Sequence, residues 1–267
     1  MEKIGLIAGN RKFPLLFAQK AKEKGYQVVA IAIKNETSFR IKNYAQSVHW
    51  LKLEEFKKIP VIFQQEGVNK VAMAGQINPR HLFNKKLFAN EDIRVLLGEV
   101  RDRRADTIFG AVAQILREQG LELLDSTLFL EDFLPKKGPI THLEPDFEQW
   151  QDIYFGVDIA KEMGYLDIGQ TVAVKNKAIV AVEALEGTDS LIRRAGRMTK
   201  CGVIIVKVSK PKQDMRFDIP VVGLRTIRNL VAARASCLAI EAEKTLFIDK
   251  EESVRLADSK RLAIVAV

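Results

Sequence analysis

The sequence predicts an α/β protein of two α/β domains: an N-terminal Rossmann-like parallel sheet over residues 1–134 and a C-terminal mixed sheet with helices over residues 135–267. Three observations predict it. Strand-length apolar runs alternate with stretches of helical period through the first half, the signature of βαβ units and parallel pairing. The stretch PKKGPITHLEP at 135–145 carries three prolines and a glycine and reads as a domain boundary. Beyond it, Lys175-Asn176-Lys177 separates two strand-like runs, a hairpin signal absent from the first half.

The elements follow in order. Residues 3–8 form an apolar run ended by Gly9, a first buried strand. Pro14 suits the first turn of a helix running to about Lys24, and Gly25 stops it. Residues 26–33 (YQVVAIAI) are rich in β-branched side chains and form a second strand. Strand, helix and strand in this short span imply parallel pairing and a right-handed crossover. Residues 57–66 read as a helix and 70–74 as a strand leading into the loop Gly75-Gln-Ile-Asn-Pro-Arg80. Residues 105–119 place Ile108, Ala111, Val112, Ile115 and Leu116 on one helical side, and 121–124 read as a further strand. In the second half, a helix over 152–163 is stopped by Gly164, and strands are expected at 171–174 and 178–184. Then come a loop and basic helix (186–200), a strand (203–208), a charged segment (210–226), a long helix from about Ile227 to Lys244 that contains Cys237, and a last strand over 262–267.

Composition excludes several classes. The chain is 47% hydrophobic and 28% charged, with no apolar run near the roughly 20 residues that cross a bilayer. The apolar run at the N-terminus is too short for a signal peptide, so the expected location is cytoplasmic. The two cysteines, Cys201 and Cys237, read as small core residues, and His49, His81 and His142 have no zinc-ligand spacing. A net charge of +8 suits an anionic lipid surface or a phosphate-rich substrate. Without a Lys/Arg tract or an aromatic RNA motif, no nucleic-acid partner is expected.

Four segments are candidates for chemistry. The turn Gly5-Leu-Ile-Ala-Gly9-Asn10 lacks the GxGxxG pattern, and Lys34 and Asn35 stand where a dinucleotide site wants an acid. It reads either as a plain tight turn or as an anion site at a helix N-terminus. Gly75, Gln76, Asn78 and Arg80 follow a strand, where open α/β sheets bind ligands; an ordinary polar loop fits equally well. Glu186-Gly187-Thr188-Asp189 precedes a helix bearing Arg193, Arg194 and Arg197, which reads as capping of a solvated basic face or as an anion site. The segment KPKQDMRFDIPVVGLRT (210–226) is the sharpest. If extended, it lines up Asp214, Arg216 and Asp218 on one face. Such a row suits a divalent cation and phosphoryl oxygens, although an Asp–Arg network can also simply hold a loop. Lys210 and Gly223 belong to this segment, and Thr226 is expected to cap the helix after it.

Taken together, IAG near the start, GQINPR, RRADTIF, EGTD and KPKQDMRFDIPVVGLRT resemble one family over essentially the whole chain. It is the UDP-2,3-diacylglucosamine pyrophosphatase of lipid A synthesis, in its two-domain, non-metallophosphoesterase form. The resemblance implies hydrolysis of the substrate's pyrophosphate to UMP and 2,3-diacylglucosamine 1-phosphate, dependence on Mg²⁺ or another divalent cation, a ligand between the domains and a homodimer. It also implies work at the inner face of the cytoplasmic membrane, with which a basic chain agrees. The family's essential acid falls on the QDMRFD stretch, at Asp214 or Asp218. On this reading Asp214 and Asp218, with Glu186 or Asp189, hold the metal, while Arg216, Arg193 and Arg194 stabilise phosphoryl charge. Gly9, Asn10 and the 75–80 loop hold part of the UDP-sugar. Gly187, Thr188, Asp189, Lys210, Gly223 and Thr226 complete the substrate contacts. The alternatives are another nucleotide-sugar hydrolase or transferase, or a non-catalytic nucleotide- or lipid-binding protein.

Overall fold

The structure, a computed structural model, describes residues 1–99 and 105–267, so the first residues of RRADTIF lie outside the described part. The chain forms two compact units. The first comprises Met1–Glu131 together with Asp214–Asp218, and the second Asp132–Gln213 and Ile219–Val267. Residues 214–218 thus pack with the first unit although they follow the boundary at 135–145 in the chain.

The first unit runs β1 (Lys3–Ala8), α1 (Phe13–Glu23), β2 (Gln27–Ile33), β3 (Ser47–Leu51), α2 (Lys58–Gln65), β4 (Lys70–Ala74), α3 (Lys85–Phe88), α4 (Glu91–Glu99), α5 (Ala105–Glu118) and β5 (Glu122–Leu123). Its sheet has the order β3-β2-β1-β4-β5 with every pairing parallel. β1 and β2 read as near-continuous apolar runs because both faces of a parallel sheet are covered. Val29, Ile31, Phe63, Val71, Leu116 and Leu121 form one core. β1 is flanked by β2 and β4, so the winding reverses there, which creates a switch point at the carboxyl ends of β1 and β4. β3 is not foreseen by the sequence reading: it is a half-buried edge strand, SVHWL, whose histidine and tryptophan obscure the apolar pattern.

The second unit runs β6 (Gly138–Pro139), α6 (Phe147–Tyr165), β7 (Thr171–Lys175), β8 (Ala178–Val182), α7 (Thr188–Thr199), β9 (Ile204–Lys207), β10 (Val221–Val222), α8 (Leu224–Ala232), β11 (Cys237–Ile240), β12 (Leu246–Phe247), α9 (Lys250–Ser259) and β13 (Ala263–Ala266). Its main sheet is mixed, ordered β6-β13-β11-β9-β7-β8, with β13, β11 and β9 parallel and the rest antiparallel. One face packs on α6 through Ile153, Ala160 and Met163. The other packs on Leu191, Ile192, Ile227, Leu230 and Ala257 from α7, α8 and α9. The β7–β8 turn places Asn176 and Lys177 at φ 53° and 56°, as a type I′ turn requires. Buried Asp152 accepts hydrogen bonds from both of their N–H groups, at 2.8 and 2.6 Å.

Three expectations are corrected. The long helix over 227–244 is instead α8 followed by β11. Arg234, at φ 50°, ends the helical path without a glycine to announce it, and a short buried run such as CLAI has no period that tells strand from helix. Cys237 therefore sits in a strand, where burial pushes its thiol pKa up. Gly164 does not stop α6. That helix starts earlier, at a capping box in which Asp146 accepts from Gln149 N at 2.8 Å and Gln149 accepts from Asp146 N at 3.2 Å, and it runs through Tyr165. Thr226 is no cap: α8 begins at Leu224 with Gly223 before it, and Thr226 lies buried inside the helix.

Candidate active site

The two N-terminal loops read separately in the sequence form one cradle at the switch point. Gly9 N donates to Ala74 O and Asn10 N to Gln76 O, each at 2.8 Å. The backbones meet so closely that a Cβ on Gly9 would lie 2.7 Å from Gln76 O. Gly75 has φ +89°, and a Cβ there would lie 2.7 Å from Asn10 O. Only glycine tolerates both the contact and that backbone.

Behind the cradle lies an acid that the sequence reading passed over. The side chain of Glu36 is 6% exposed. Its Oε2 accepts from Asn10 Nδ2 at 2.6 Å and from Asn78 N at 3.2 Å, and His81 Nε2 lies 2.9 Å from Oε1. One carboxylate thus ties the β1 turn to the 75–83 loop. Asn78 Oδ1 accepts from Arg80 N at 3.1 Å and caps the short 3₁₀ turn Pro79–Phe83, leaving Arg80 exposed.

Asp214–Asp218 is not extended, so the expected alternating row is replaced by a turn. Phe217 N donates to Asp214 O at 3.1 Å. Arg216 N donates to Asp214 Oδ1 at 3.0 Å, its Nε to the same oxygen at 2.9 Å and its Nη2 to Oδ2 at 2.6 Å. The guanidinium folds back onto the carboxylate two residues earlier in a bidentate pair. That pairing, reinforced by the charge of Arg117, holds the Asp214 carboxyl below the usual carboxylate range against the opposing effect of burial. Asp218 adopts φ 54° at the end of the turn.

The turn is fastened to the first unit. Ser126 N donates to Met215 O at 2.9 Å. The Ser126 hydroxyl lies 2.7 Å from Arg216 O and 2.5 Å from Met73 O, near the carboxyl end of β4. Phe217 is buried and stacks on Phe109 with centroids 5.5 Å apart. Ser126 therefore hangs the Asp–Arg turn from the strand that leads directly into Gly75.

In the second unit, Gly187 (φ 79°) opens α7. Thr188 Oγ1 donates to Glu183 Oε1 at 2.7 Å and accepts from Lys207 Nζ at 2.8 Å, and the buried Lys207 and Glu183 lie 3.8 Å apart. Asp189, also buried, pairs with Arg225 Nε at 2.9 Å, which joins the EGTD loop to the start of α8 beside Gly223. Arg194 Nη2 donates to Glu186 Oε1 at 3.0 Å and to Val182 O at 2.6 Å, while Arg193 donates to Ser190 Oγ at 3.1 Å. Buried Lys210 pairs with Asp167 at 2.6 Å. His142, a lone loop histidine, is held by Asp258 at 2.8 Å.

Glu36, Ser126, Glu183 and Lys207 are not singled out by the sequence; His81 is, but only as a histidine without zinc-ligand spacing. Lys207 alone left a signal there, as a cation within the apolar run IIVK.

Among the described residues, no three histidines, cysteines or acids are grouped so as to hold a metal ion. The hard carboxylate oxygens of Asp214 and Asp218 still match the donor chemistry of Mg²⁺, which takes one or two protein carboxylates and completes its shell with phosphate and water. No described helix is long and apolar enough to cross a membrane.

Fold and candidate site together define a two-domain α/β protein whose doubly wound sheet has a switch point at the carboxyl ends of β1 and β4, with an Asp–Arg turn fastened beside β4. Residues 3–133 match the model of the LpxI N-terminal domain and residues 136–265 that of the LpxI C-terminal domain. The chain belongs to the LpxI family. It is 27% identical, over 100% of its length and 98% of the relative's, to a Caulobacter vibrioides protein named UDP-2,3-diacylglucosamine pyrophosphatase LpxI. Among solved structures it resembles the biotin carboxylase subunit of pyruvate carboxylase (11% identity, TM-score 0.29) and the biotin carboxylase domain of Hydrogenobacter thermophilus 2-oxoglutarate carboxylase (15%, TM-score 0.29). In both, 75% of this chain overlaps 40% of the other, too weakly to bear on fold or function.

Proposed function

We propose that this chain hydrolyses the pyrophosphate of UDP-2,3-diacylglucosamine, releasing UMP and 2,3-diacylglucosamine 1-phosphate. The observation that carries the reading is the end-to-end similarity to a relative bearing that activity in its name. The site is chemically suited to it. Water adds to one phosphorus, the bond from that phosphorus to the bridging oxygen breaks, and the proton lost by water ends on product phosphate or solvent. Asp214, kept ionised by Arg216, and Asp218 are the carboxylates to which this reading gives the orienting of that water. Arg216 has donor capacity beyond its pair with Asp214 to meet charge developing on phosphoryl oxygens. Mg²⁺ held by Asp214 and Asp218 would supply neutralisation of the pyrophosphate charge.

The reading extends to the setting of the reaction. A diacylated substrate and a net charge of +8 favour peripheral contact with an anionic cytoplasmic leaflet, and a homodimer is the proposed assembly. The test is to offer UDP-2,3-diacylglucosamine and UDP-N-acetylglucosamine to the purified protein, with and without Mg²⁺ and after chelation. Selective turnover of the acylated substrate supports the reading; equal turnover of both sinks its lipid part. Metal-independent turnover removes Mg²⁺ from it.

A further inference from the structure

The first unit holds a cleft of about 760 Å³ beyond the carboxyl ends of β2 and β3 that none of the predicted site residues lines. Its size lies within the about 300–1,000 Å³ of ordinary ligand pockets. Lys34, Glu36, Phe39, Trp50, Lys52 and His81 are among the residues that line it, and Lys52 lies 4.0 Å from the carboxylate of Glu54, which also lines it. Phe39 is 73% exposed yet ordered against Trp50, with ring centroids 4.7 Å apart at 34°. An exposed phenylalanine ring set against a partly buried tryptophan, with lysines in the same lining, has the composition of a platform for a flat ring carrying phosphate.

The cleft is built in advance. Thr37 is buried; its hydroxyl accepts from Ile33 N at 2.9 Å and donates to Ala8 O, which locks the 34–37 loop to the end of β1. Glu36 stands three residues past β2, close to where a doubly wound sheet places the acid that meets a ribose. Here that carboxylate is spent on Asn10, Asn78 and His81, so it positions the walls.

We propose that this cleft is the nucleoside 5′-phosphate site. The pyrimidine lies on Phe39 and Trp50, Lys34 and Lys52 face the phosphate, and Glu36 is a positioning residue that joins the cleft to the switch-point cradle. The proposal rests on the hydrolase reading for its choice of uridine and goes beyond it in assigning residues.

Trp50 and Trp150 are the chain's two tryptophans, so Trp150→Phe leaves Trp50 as the sole reporter. UMP is titrated into the full-length W150F protein while Trp50 emission is followed. Saturable quenching is expected, weakened about 5- to 100-fold by Phe39→Ala, in line with the loss of one base–aromatic stack. Lys52→Ala is expected to weaken UMP at least 5-fold while leaving uridine unchanged. Unchanged UMP binding in both variants overturns the assignment even if the parent hydrolyses the lipid nucleotide. Absence of UMP binding by the parent overturns it as well. Binding at the cleft by a parent that cleaves no UDP-diacylglucosamine leaves the assignment standing and removes the hydrolase reading instead.

Discussion

Glu241 offers the most quantitative test of what ties α6, the residues after β9 and the end of β11 together within the second unit. Its side chain is 14% exposed at the carboxyl edge of the mixed sheet. Oε2 accepts from Lys161 Nζ at 2.6 Å, from Ser209 N at 2.7 Å and from Ser209 Oγ at 2.8 Å, while Lys244 reaches Oε1 at 2.9 Å. Burial alone would raise its pKa, but the lysines and the serine outweigh burial and bring it from an ordinary 4.5 to about 2. At about 1.4 kcal/mol per pH unit, that displacement is about 3 kcal/mol of stability at pH 7. Breaking a buried ion pair by removing one partner costs a similar amount, about 3–5 kcal/mol. Glu241→Gln keeps the shape and removes the charge. Because the folded pKa lies below the unfolded one, the contribution is complete above about pH 5 and fades as pH falls through 4.5 toward 2. Urea titrations of parent and E241Q, followed by Trp150 emission in a Trp50→Phe background, should show a gap of about 3 kcal/mol at pH 7 that has shrunk markedly by pH 3. A gap of the same size at both pH values would mean that the Glu241 charge does not stabilise the fold.

Three further outcomes are expected. Gly75→Ala forces a side chain onto φ +89° and against Asn10 O, so thermal denaturation should register a loss of about 1–3 kcal/mol together with weaker UMP binding; an unchanged Tm contradicts the cradle. Asp214→Asn releases Arg216 from its bidentate partner and should lower turnover of UDP-2,3-diacylglucosamine by about 100-fold or more, with a near-native circular dichroism spectrum; retained activity moves the essential role to Asp218. Asp152→Ala strips both hydrogen bonds from the β7–β8 turn and should cost about 2 kcal/mol in urea midpoint experiments without altering UMP binding.

The parts of the fold legible in the sequence are those whose pattern is local. The β-branched run of β2, the one-sided periodicity of α5 and the Lys175-Asn176-Lys177 turn each declare themselves within a few residues. β11 does not, because a fully buried strand and a buried helical turn look alike in apolar content, and the chain leaves α8 through Arg234 rather than through a glycine. The partners of the candidate site residues are not legible in the sequence. In an extended row Asp214 and Arg216 would stand side by side; they meet because the backbone turns between them. The attachment of that turn to the first unit depends on Ser126, ninety positions away in the chain, which no motif reveals. Glu36 stands one position beyond Lys34 and Asn35, where a dinucleotide site wants its acid, because the loop locked by Thr37 delivers the carboxylate there.

The central claim is chemical, and product analysis tests it most directly. The purified protein is incubated with UDP-2,3-diacylglucosamine, and the products are resolved by mass spectrometry beside Asp214→Asn and Asp218→Asn variants. Equimolar UMP and 2,3-diacylglucosamine 1-phosphate are expected from the parent, and intact substrate with at least one of the two variants. Release of UDP, or equal product from the parent and both variants, would contradict that claim.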